Sequence, residues 1–450
     1  MSKSAARRTA LNILHELEQR GTYVDLALKK YLKQEKLALR DRALVTELCY
    51  GVVRYLLTLD WWIQQVSGRK ASNLDSRLRN ILRITLYQMA YLDKIPVPAA
   101  VHEGVELAKE FSHKGGVKFV NGVLRGYLRK KEHIKYPDFE KSPVHYLSLK
   151  HSFPAWMVER WCRGFGEKQA EIYMSSLNLP APLTVRVNTL KINRQDLMKT
   201  LQQEGVTAQE SFYVPEALII KKGKDLSVLD AFKKGMFQFQ SESSMLASIL
   251  VDPAPGETLL DSCSAPGGKS THLAQLMKNQ GKIISCDIYG HKVKLVEINA
   301  QRLGIKIIEP LQQDAQILPD SLWGTVDRAL VDAPCSGLGV IRRKPDLKWR
   351  RKPSDIASLA KVQLKLLQAA AEALKPSGVL VYSVCTNEPE ETFEVFKKFS
   401  AENKNFAAAD LTPYLPEPLA AEGSAPKGFL QLYPHEHELD GFFLARWQKL

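Results

Sequence analysis

Long apolar runs are absent from this chain of 450 residues. None approaches the roughly 18 residues needed to cross a bilayer, so no membrane-spanning helix is expected. Cysteine is scarce too: six residues, none in a C-x-x-C pair or at a regular spacing, which argues against a disulfide framework and a zinc site. Cys49, Cys162 and Cys286 have apolar neighbours and read as small buried hydrophobes. The stretch Met1 to Arg8 carries basic residues with no apolar core behind them, so a secretory signal is not expected and the chain reads as cytoplasmic. Acidic residues fall short in one region only. Residues 1–150 hold 27 Lys and Arg against 15 Asp and Glu, whereas the other 300 hold 36 against 34, within a net charge of +14. A basic excess confined to one third of a chain is the footprint of a polyanion-binding module, with a merely solvated basic face as the alternative.

The organising stretch is Leu259-Leu260-Asp261-Ser262-Cys263-Ser264-Ala265-Pro266-Gly267-Gly268-Lys269-Ser270. An apolar run ends in an acid, a small-residue turn with two glycines follows, and helical spacing begins at His272, Leu273, Leu276 and Met277. That is a strand, a tight loop and a helix N-terminus, the place where open α/β sheets hold ligands. A triphosphate-binding G-x-x-x-x-G-K-[ST] loop would need glycine where this chain has Cys263, which disfavours a nucleotide triphosphatase. Ile283 to Cys286 reads as a second strand ending in Asp287, about twenty residues past the glycines, the spacing at which an acid meets a ribose. A ligand with a ribose and an adenine is therefore expected.

From Ala5 to about Lys131 apolar residues recur at three and four, punctuated by Gly21, Ser67-Gly68, Pro96, Pro98 and Gly115-Gly116, which predicts an all-helical domain over 1–140. Its basic residues gather at Arg7-Arg8, Arg69-Lys70, Arg77, Arg79, Arg83, Lys114, Lys118 and Arg125 to Lys131. With Arg40-Asp41-Arg42, Pro96-Val97-Pro98 and Asn121-Gly122-Val123-Leu124-Arg125 at fitting places, the region resembles the helical RNA-binding domain of the antitermination factor NusB. The resemblance implies RNA contact rather than catalysis. A polar connection, Glu132 to Ser148, leads to a small α+β region over 141–235: a helix from Pro154 through Trp161, strands at Thr184 to Thr189 and Ala217 to Ile220, and a helix from Arg194 to Glu204. The Arg186 to Asn188 strand is a candidate RNA surface, with a plain sheet edge as the alternative. From 236 to 450 strands and helices alternate as in a doubly wound sheet. Strands are expected at Leu259–Asp261, Ile283–Asp287, Ile305–Glu309, Val326–Val331 and Val379–Val384, with a closing antiparallel pair near Phe429–Leu432 and Phe442–Ala445.

Two of those strands run straight into cysteine. Ala329-Leu330-Val331 leads to Asp332-Ala333-Pro334-Cys335, and Val379 to Val384 leads to Cys385. One thiol at a sheet's carboxyl edge is readily a packing residue; two on separate strands beside a cofactor loop point to chemistry. The chemistry that needs such a thiolate is methylation of a pyrimidine carbon. Carbon 5 of cytosine is too weak a nucleophile to take a methyl from a sulfonium until a thiolate has added at carbon 6. An acid at the ring nitrogen must accompany the addition, and Asp332 stands three residues before Cys335. Arg342-Arg343-Lys344-Pro345-Asp346 and Trp349-Arg350-Arg351-Lys352 follow as a basic, aromatic-interleaved stretch suited to single-stranded RNA. His435 and His437 lack further ligands, so no metal site is expected.

In their order, Cys263 to Lys269, Asp287, Asp314, Asp332 to Cys335, the Cys385 segment and Asp440-Gly441-Phe442-Phe443 resemble the motifs of the RNA (cytosine-5) methyltransferases. With the NusB-like region in front, nearly the whole chain resembles those that act on bacterial 16S ribosomal RNA. The resemblance implies a Rossmann-like class I methyltransferase domain, preceded by an all-helical NusB-like domain and a small α+β subdomain of RRM/ferredoxin-like form. It implies Cys385 as nucleophile, Cys335 as the residue that helps release product, and Asp332 as a contact to the base. It implies S-adenosylmethionine as cofactor, bound by Cys263, Ser264, Ala265, Pro266, Gly267, Gly268, Lys269, Asp287, Asp314 and Asp332. Related DNA enzymes use the Pro-Cys cysteine as nucleophile instead, and Ser264 replaces the family's usual alanine. The implied partner is 16S rRNA, free or partly assembled, met by a monomer without metal or membrane. Transfer RNA or 23S rRNA as substrate, and a non-catalytic ribosome-assembly or antitermination factor, are the alternatives.

Overall fold

The computed structural model describes residues 5–223 and 225–450; the basic start at Met1 to Ser4, read above as no secretory signal, lies outside the described residues. No helix among the described residues is long and apolar enough to cross a membrane. The chain packs as two compact units, one running up to Leu179 with Ile341–Arg350 added, the other made of Pro180–Val340 and Arg351–Leu450.

The first unit is helical. Seven helices, Ala5–Arg20, Val24–Gln34, Leu39–Arg54, Leu56–Ser67, Ser76–Tyr91, Val97–Phe111 and Lys114–Lys130, bury Leu11, Leu48, Ile63, Ile81 and Leu124 in a shared core. Gly68 ends the fourth helix in the left-handed region, as expected of a breaker. Gly115-Gly116 does not break anything. The helix begins at Lys114, where the His113 ring accepts from the Gly115 amide, and a Cβ on Gly116 would press within 2.1 Å of Ser112 Oγ. Close approach, not chain reversal, explains that glycine.

Part of the basic set is consumed internally. Arg83, 6% exposed, pairs with Asp60 and Glu18, Arg79 pairs with the same Glu18, and buried Arg7 donates to Gln88. Arg69, Lys70, Arg77, Lys114, Lys118, Arg125 and Arg129 to Lys131 remain exposed. The polar connection read from 132 to 148 is helical from Pro143, the first of three further helices, Pro143–His151, Ala155–Phe165 and Glu167–Asn178.

Within Ile341–Arg350 the structure takes Lys348, Trp349 and Arg350 out of the expected basic RNA path, while Lys344 and, just beyond, Lys352 stay exposed. Lys348 is fully buried, donating to the carbonyls of Arg54 and Ser152 and to Asn178 Oδ1 at 3.1, 3.1 and 2.7 Å, with its ammonium 3.5 Å from the Phe153 ring centroid. Trp349 Nε1 donates to the Val53 carbonyl, and Arg350 to those of Gly21 and Thr22. Charge in a sequence says nothing about which acceptors a fold gathers around it.

The second unit holds two sheets. Strands β1 (Leu183–Val187), β2 (Thr207–Glu210), β3 (Ala217–Lys222) and β4 (Phe237–Phe239) form an antiparallel sheet in the order β2-β3-β1-β4, with the helix Arg194–Gln203 following β1. The larger sheet takes β5 (Thr258–Asp261), β6 (Lys282–Asp287), β7 (Ile308–Gln312), β8 (Val326–Asp332), β9 (Leu374–Val384), β10 (Phe406–Ala408), β11 (Phe429–Leu432) and β12 (Phe442–Lys449). Its order is β10-β12-β9-β8-β5-β6-β7, with β11 on β12. β5 to β9 are parallel neighbours, built from runs such as Ala329-Leu330-Val331 that are buried throughout, as strands covered on both faces must be. The closing pair is antiparallel as expected, and β12 also continues the sheet beside β9. β7 starts three residues later than the sequence indicates and runs through Pro310. It is an edge strand, where proline costs no ladder bond on its open side.

A candidate active site at the carboxyl edge of the sheet

The parallel strands all end on one edge, so their last residues and the loops beyond them converge there. β5 delivers the Ser262 to Gly268 loop, β6 delivers Asp287, the loop after β7 delivers Asp314, β8 delivers Asp332, and β9 ends one residue before Cys385.

Small residues let the β5 loop fold tightly. Ser264 donates through both N–H and Oγ to the Cys286 carbonyl, which ties the loop to the end of β6. Ala265-Pro266 is a cis peptide. Gly267 sits at φ +99°, and a Cβ there would come 3.1 Å from Val296 Cα, so its backbone requires glycine. Gly268 differs: a Cβ on it would meet nothing within 4 Å. Protein packing does not demand that glycine, and the helix Gly268–Leu276 opens onto free space there.

Asp287 is half-buried and accepts from the Tyr289 amide, and Asp314, also half-buried, accepts from Gln316. Lys269 Nζ lies 2.7 Å from Asp332 Oδ2, and the Ser383 hydroxyl donates to Asp332 Oδ1. Both oxygens of Asp332 are thereby oriented. These residues fit a ligand with ribose hydroxyls and a charged amino-acid end.

Sequence reasoning passed over three participants. Ser383 precedes Cys385 by two and faces Asp332, a placement visible only once β8 and β9 pair Asp332 with Ser383. Asp261 ends β5, fully buried, accepting from the Ser270 hydroxyl at 2.6 Å. Arg186, in sequence a candidate RNA surface or a plain sheet edge, is instead 1% exposed, and its guanidinium donates to the Gly268 carbonyl, Thr271, Gln240 and Gln275. It supports the glycine loop from beneath. Neighbouring Asn188 is likewise buried, donating to the carbonyls of Gly235 and Leu303.

Burial, with a smaller push from Asp332, lifts Asp261 to about 7. A carboxyl that binds its proton more tightly folded than unfolded destabilises the fold progressively as pH rises from the unfolded value, about 4, toward 7. Wild type is therefore expected to lose stability relative to Asp261→Asn across that window, by about 2–4 kcal/mol. Denaturant unfolding of the two proteins at pH 4.5 and 7.5 measures it, and a constant difference would refute it.

Cys335 and Cys385 meet sulfur to sulfur at 3.2 Å, both half-buried. The contact with Cys385 and burial hold the Cys335 thiol far above its ordinary value. Two thiolates so close would repel, so the pair gives up one proton far more readily than two. A neutral Cys335 can then donate S–H toward an ionised Cys385. Cys49 and Cys286 are buried as expected, while Cys162 is only half-buried.

Comparison with known proteins agrees in extent and in kind. Residues 248–448 match the family described as 16S rRNA methyltransferase RsmB/F, residues 4–129 the NusB family, and residues 153–227 the ferredoxin-like domain of RsmF/B-like methyltransferases. The probable ribosomal RNA small subunit methyltransferase B of Bacillus subtilis is 40% identical over 100% of both chains. The ribosomal RNA small subunit methyltransferase B of Shewanella oneidensis is 32% identical over 98% of this chain and 99% of its own. The crystal structure of PH0851 is similar at a TM-score of 0.82 and 28% identity, covering 100% of this chain and 99% of that one.

Proposed function

The chain belongs to the 16S rRNA methyltransferase RsmB/F family, and from that premise we propose that its carboxyl-edge site transfers a methyl group from S-adenosylmethionine to carbon 5 of a cytosine in 16S rRNA, in the cytoplasm. The observation that carries this reading is the contact of Cys335 with Cys385 beside an Asp332 already oriented by Lys269 and Ser383. The loop Cys263 to Lys269, with Asp287, Asp314 and Asp332, would hold the cofactor, whose sulfonium supplies the methyl group. Cys385 adds as a thiolate to carbon 6 of the cytosine and makes carbon 5 nucleophilic. Asp332 contacts the base at its ring nitrogen. Once carbon 5 carries the methyl, the carbon 5 proton passes to a water molecule, the carbon 5–carbon 6 double bond re-forms, the Cys385 sulfur leaves carbon 6 as the thiolate, and Cys335 helps release the product. The exposed basic residues of the helical unit, Lys114, Lys118 and Arg125 to Lys131 among them, are the side chains on which RNA phosphates would settle.

The test is covalent. Cys335→Ala, incubated with methyl-labelled S-adenosylmethionine and free 16S rRNA, is expected to yield a slow band on a denaturing gel that holds both label and RNA. The band disappears when Cys385 is also changed, and mapping the attached nucleotide names the target. Failure to form an adduct with any RNA would favour a non-catalytic assembly factor or another methyl acceptor. Since extracting a base from a structured helix costs a few kcal/mol, free 16S rRNA should be methylated faster than intact 30S particles. The reverse order would overturn that substrate assignment.

A further inference from the structure

The two cysteines are held by different means. Cys385 directly follows β9, whose last residues are laddered on both sides, Ser383 to Asp332 of β8 and Val384 to Phe443 of β12. Cys335 lies three residues past the end of β8, in a loop outside any ladder. Its segment is held by side chains instead. Gln363 Nε2 donates to the Pro334 carbonyl at 3.0 Å, and Arg351 donates to the carbonyls of Cys335 and Ser336 at 3.0 and 2.7 Å. The Ser336 hydroxyl meets that of Thr386 at 2.8 Å. The Ser336 amide donates to Glu391 Oε1 at 2.8 Å, and that same oxygen accepts from Gln363 Nε2 at 3.0 Å.

Glu391 is the unexpected member. Its side chain is wholly inaccessible, and burial raises its pKa. A carboxyl is an expensive choice for such a place unless its acceptor capacity is used, since an amide or apolar group of similar size avoids the desolvation. Here Oε1 serves two donors, both part of the support of the Cys335 segment, while the buried Oε2 has no partner among the described residues. Glu391 is itself fixed to the sheet, because the Tyr382 hydroxyl of β9 donates to its carbonyl at 2.7 Å. It thus transmits the position of β9, and with it that of Cys385, to the loop bearing Cys335.

We propose that Glu391 is a positioning residue that, through the Ser336 amide and Gln363, holds Cys335 in register with Cys385 for product release. This rests on the release role given to Cys335 above. It separates the two halves of the reaction: adduct formation depends on Cys385, which the ladders hold without Glu391, whereas release depends on the clamped loop.

The experiment is a kinetic split with methyl-labelled S-adenosylmethionine and free 16S rRNA. Glu391→Ala is expected to form adduct within about 3-fold of the wild-type rate yet turn over some 10- to 100-fold more slowly, the scale on which small misplacements act. The adduct accumulates on a denaturing gel as it does for Cys335→Ala. Glu391→Gln, which keeps an oxygen for both donors, restores most of the turnover. The double variant Cys335→Ala with Glu391→Ala releases product no more slowly than Cys335→Ala alone. Should Glu391→Ala fail to fold, Gln363→Ala, which removes the second donor and the Pro334 bond, must give the same split. Equal losses in adduct formation and turnover, or unaltered turnover, would overturn the proposal. If Cys335→Ala itself traps nothing, the mechanistic reading fails; if it traps adduct and Glu391→Ala releases freely, only the role of Glu391 fails.

Discussion

Cys385→Ala should reduce methyl transfer by at least about 10⁴-fold, because in the proposed mechanism it removes the nucleophile and with it the covalent route, leaving only binding and orientation. Cofactor affinity should stay within about 3-fold of wild type, since the thiol acts only after both substrates are bound. The geometry supports this separation. The Cys385 sulfur meets that of Cys335, while the loop Cys263 to Lys269 is anchored through Ser264 to the Cys286 carbonyl and through Thr271 to that of Gly267. Truncation to alanine leaves the main chain in place, because the Cys385 carbonyl still accepts from the Gly339 amide and Gly441 still donates to the Gly339 carbonyl. Initial rates with labelled cofactor, beside a calorimetric titration, measure both quantities. Residual turnover above about 1% of wild type would shift the nucleophile to Cys335, as in the related DNA enzymes.

The second large effect is on stability. Arg186→Ala is expected to cost about 2–5 kcal/mol, since several buried neutral acceptors each lose a donor, at about 1–3 kcal/mol for each one left unsatisfied. Burial draws its pKa down to about 9, so the guanidinium is still charged at neutral pH. Its removal takes a donor from the side-chain oxygens of Gln240 and Gln275 and from the Gly268 carbonyl and Thr271, all inside the protein. In the larger unit this corresponds to a fall in melting midpoint on the order of 10 °C. Because Gly268 and Thr271 lie in the first turn of the helix after the cofactor loop, affinity for S-adenosylmethionine should weaken as well. Arg186→Lys should not rescue it, as an ammonium cannot reach four acceptors spread around a planar fork. Unchanged melting and affinity in Arg186→Ala would show that the network bears no weight.

Arg186 also marks where reading the sequence falls short. Val185-Arg186-Val187 alternates like a strand with one wet face, and the strand is there. The alternation is silent about β1 having its arginine face covered, by groups as far along the chain as Gln275. Lys348 and Trp349 failed for the same reason: their partners, Arg54, Ser152, Asn178 and Val53, lie more than 150 residues away. What was legible was local. The turn chemistry of Pro266-Gly267-Gly268, the acids ending β6 and β8, and the apolar runs into Cys335 and Cys385 all speak through immediate neighbours. Glu391 speaks only through Ser336 and Gln363, which the chain places 55 and 28 residues upstream, and so it carried no signal.

The insertion of Ile341–Arg350 among the first unit's helices has a consequence for how the protein can be taken apart. No single cut divides it into its two units, because one unit is interrupted by the other along the chain. Removing residues 1–140, the natural way to ask what the helical region contributes, also strips Arg54 and Val53 from around Lys348 and Trp349. A buried cation and an indole would face water only 13 and 14 residues after Cys335. Activity lost on such a truncation would therefore mix two causes, the loss of the exposed basic residues and the disrupted packing of Ile341–Arg350. Charge reversal at exposed Lys114, Lys118 and Arg129 probes the first alone.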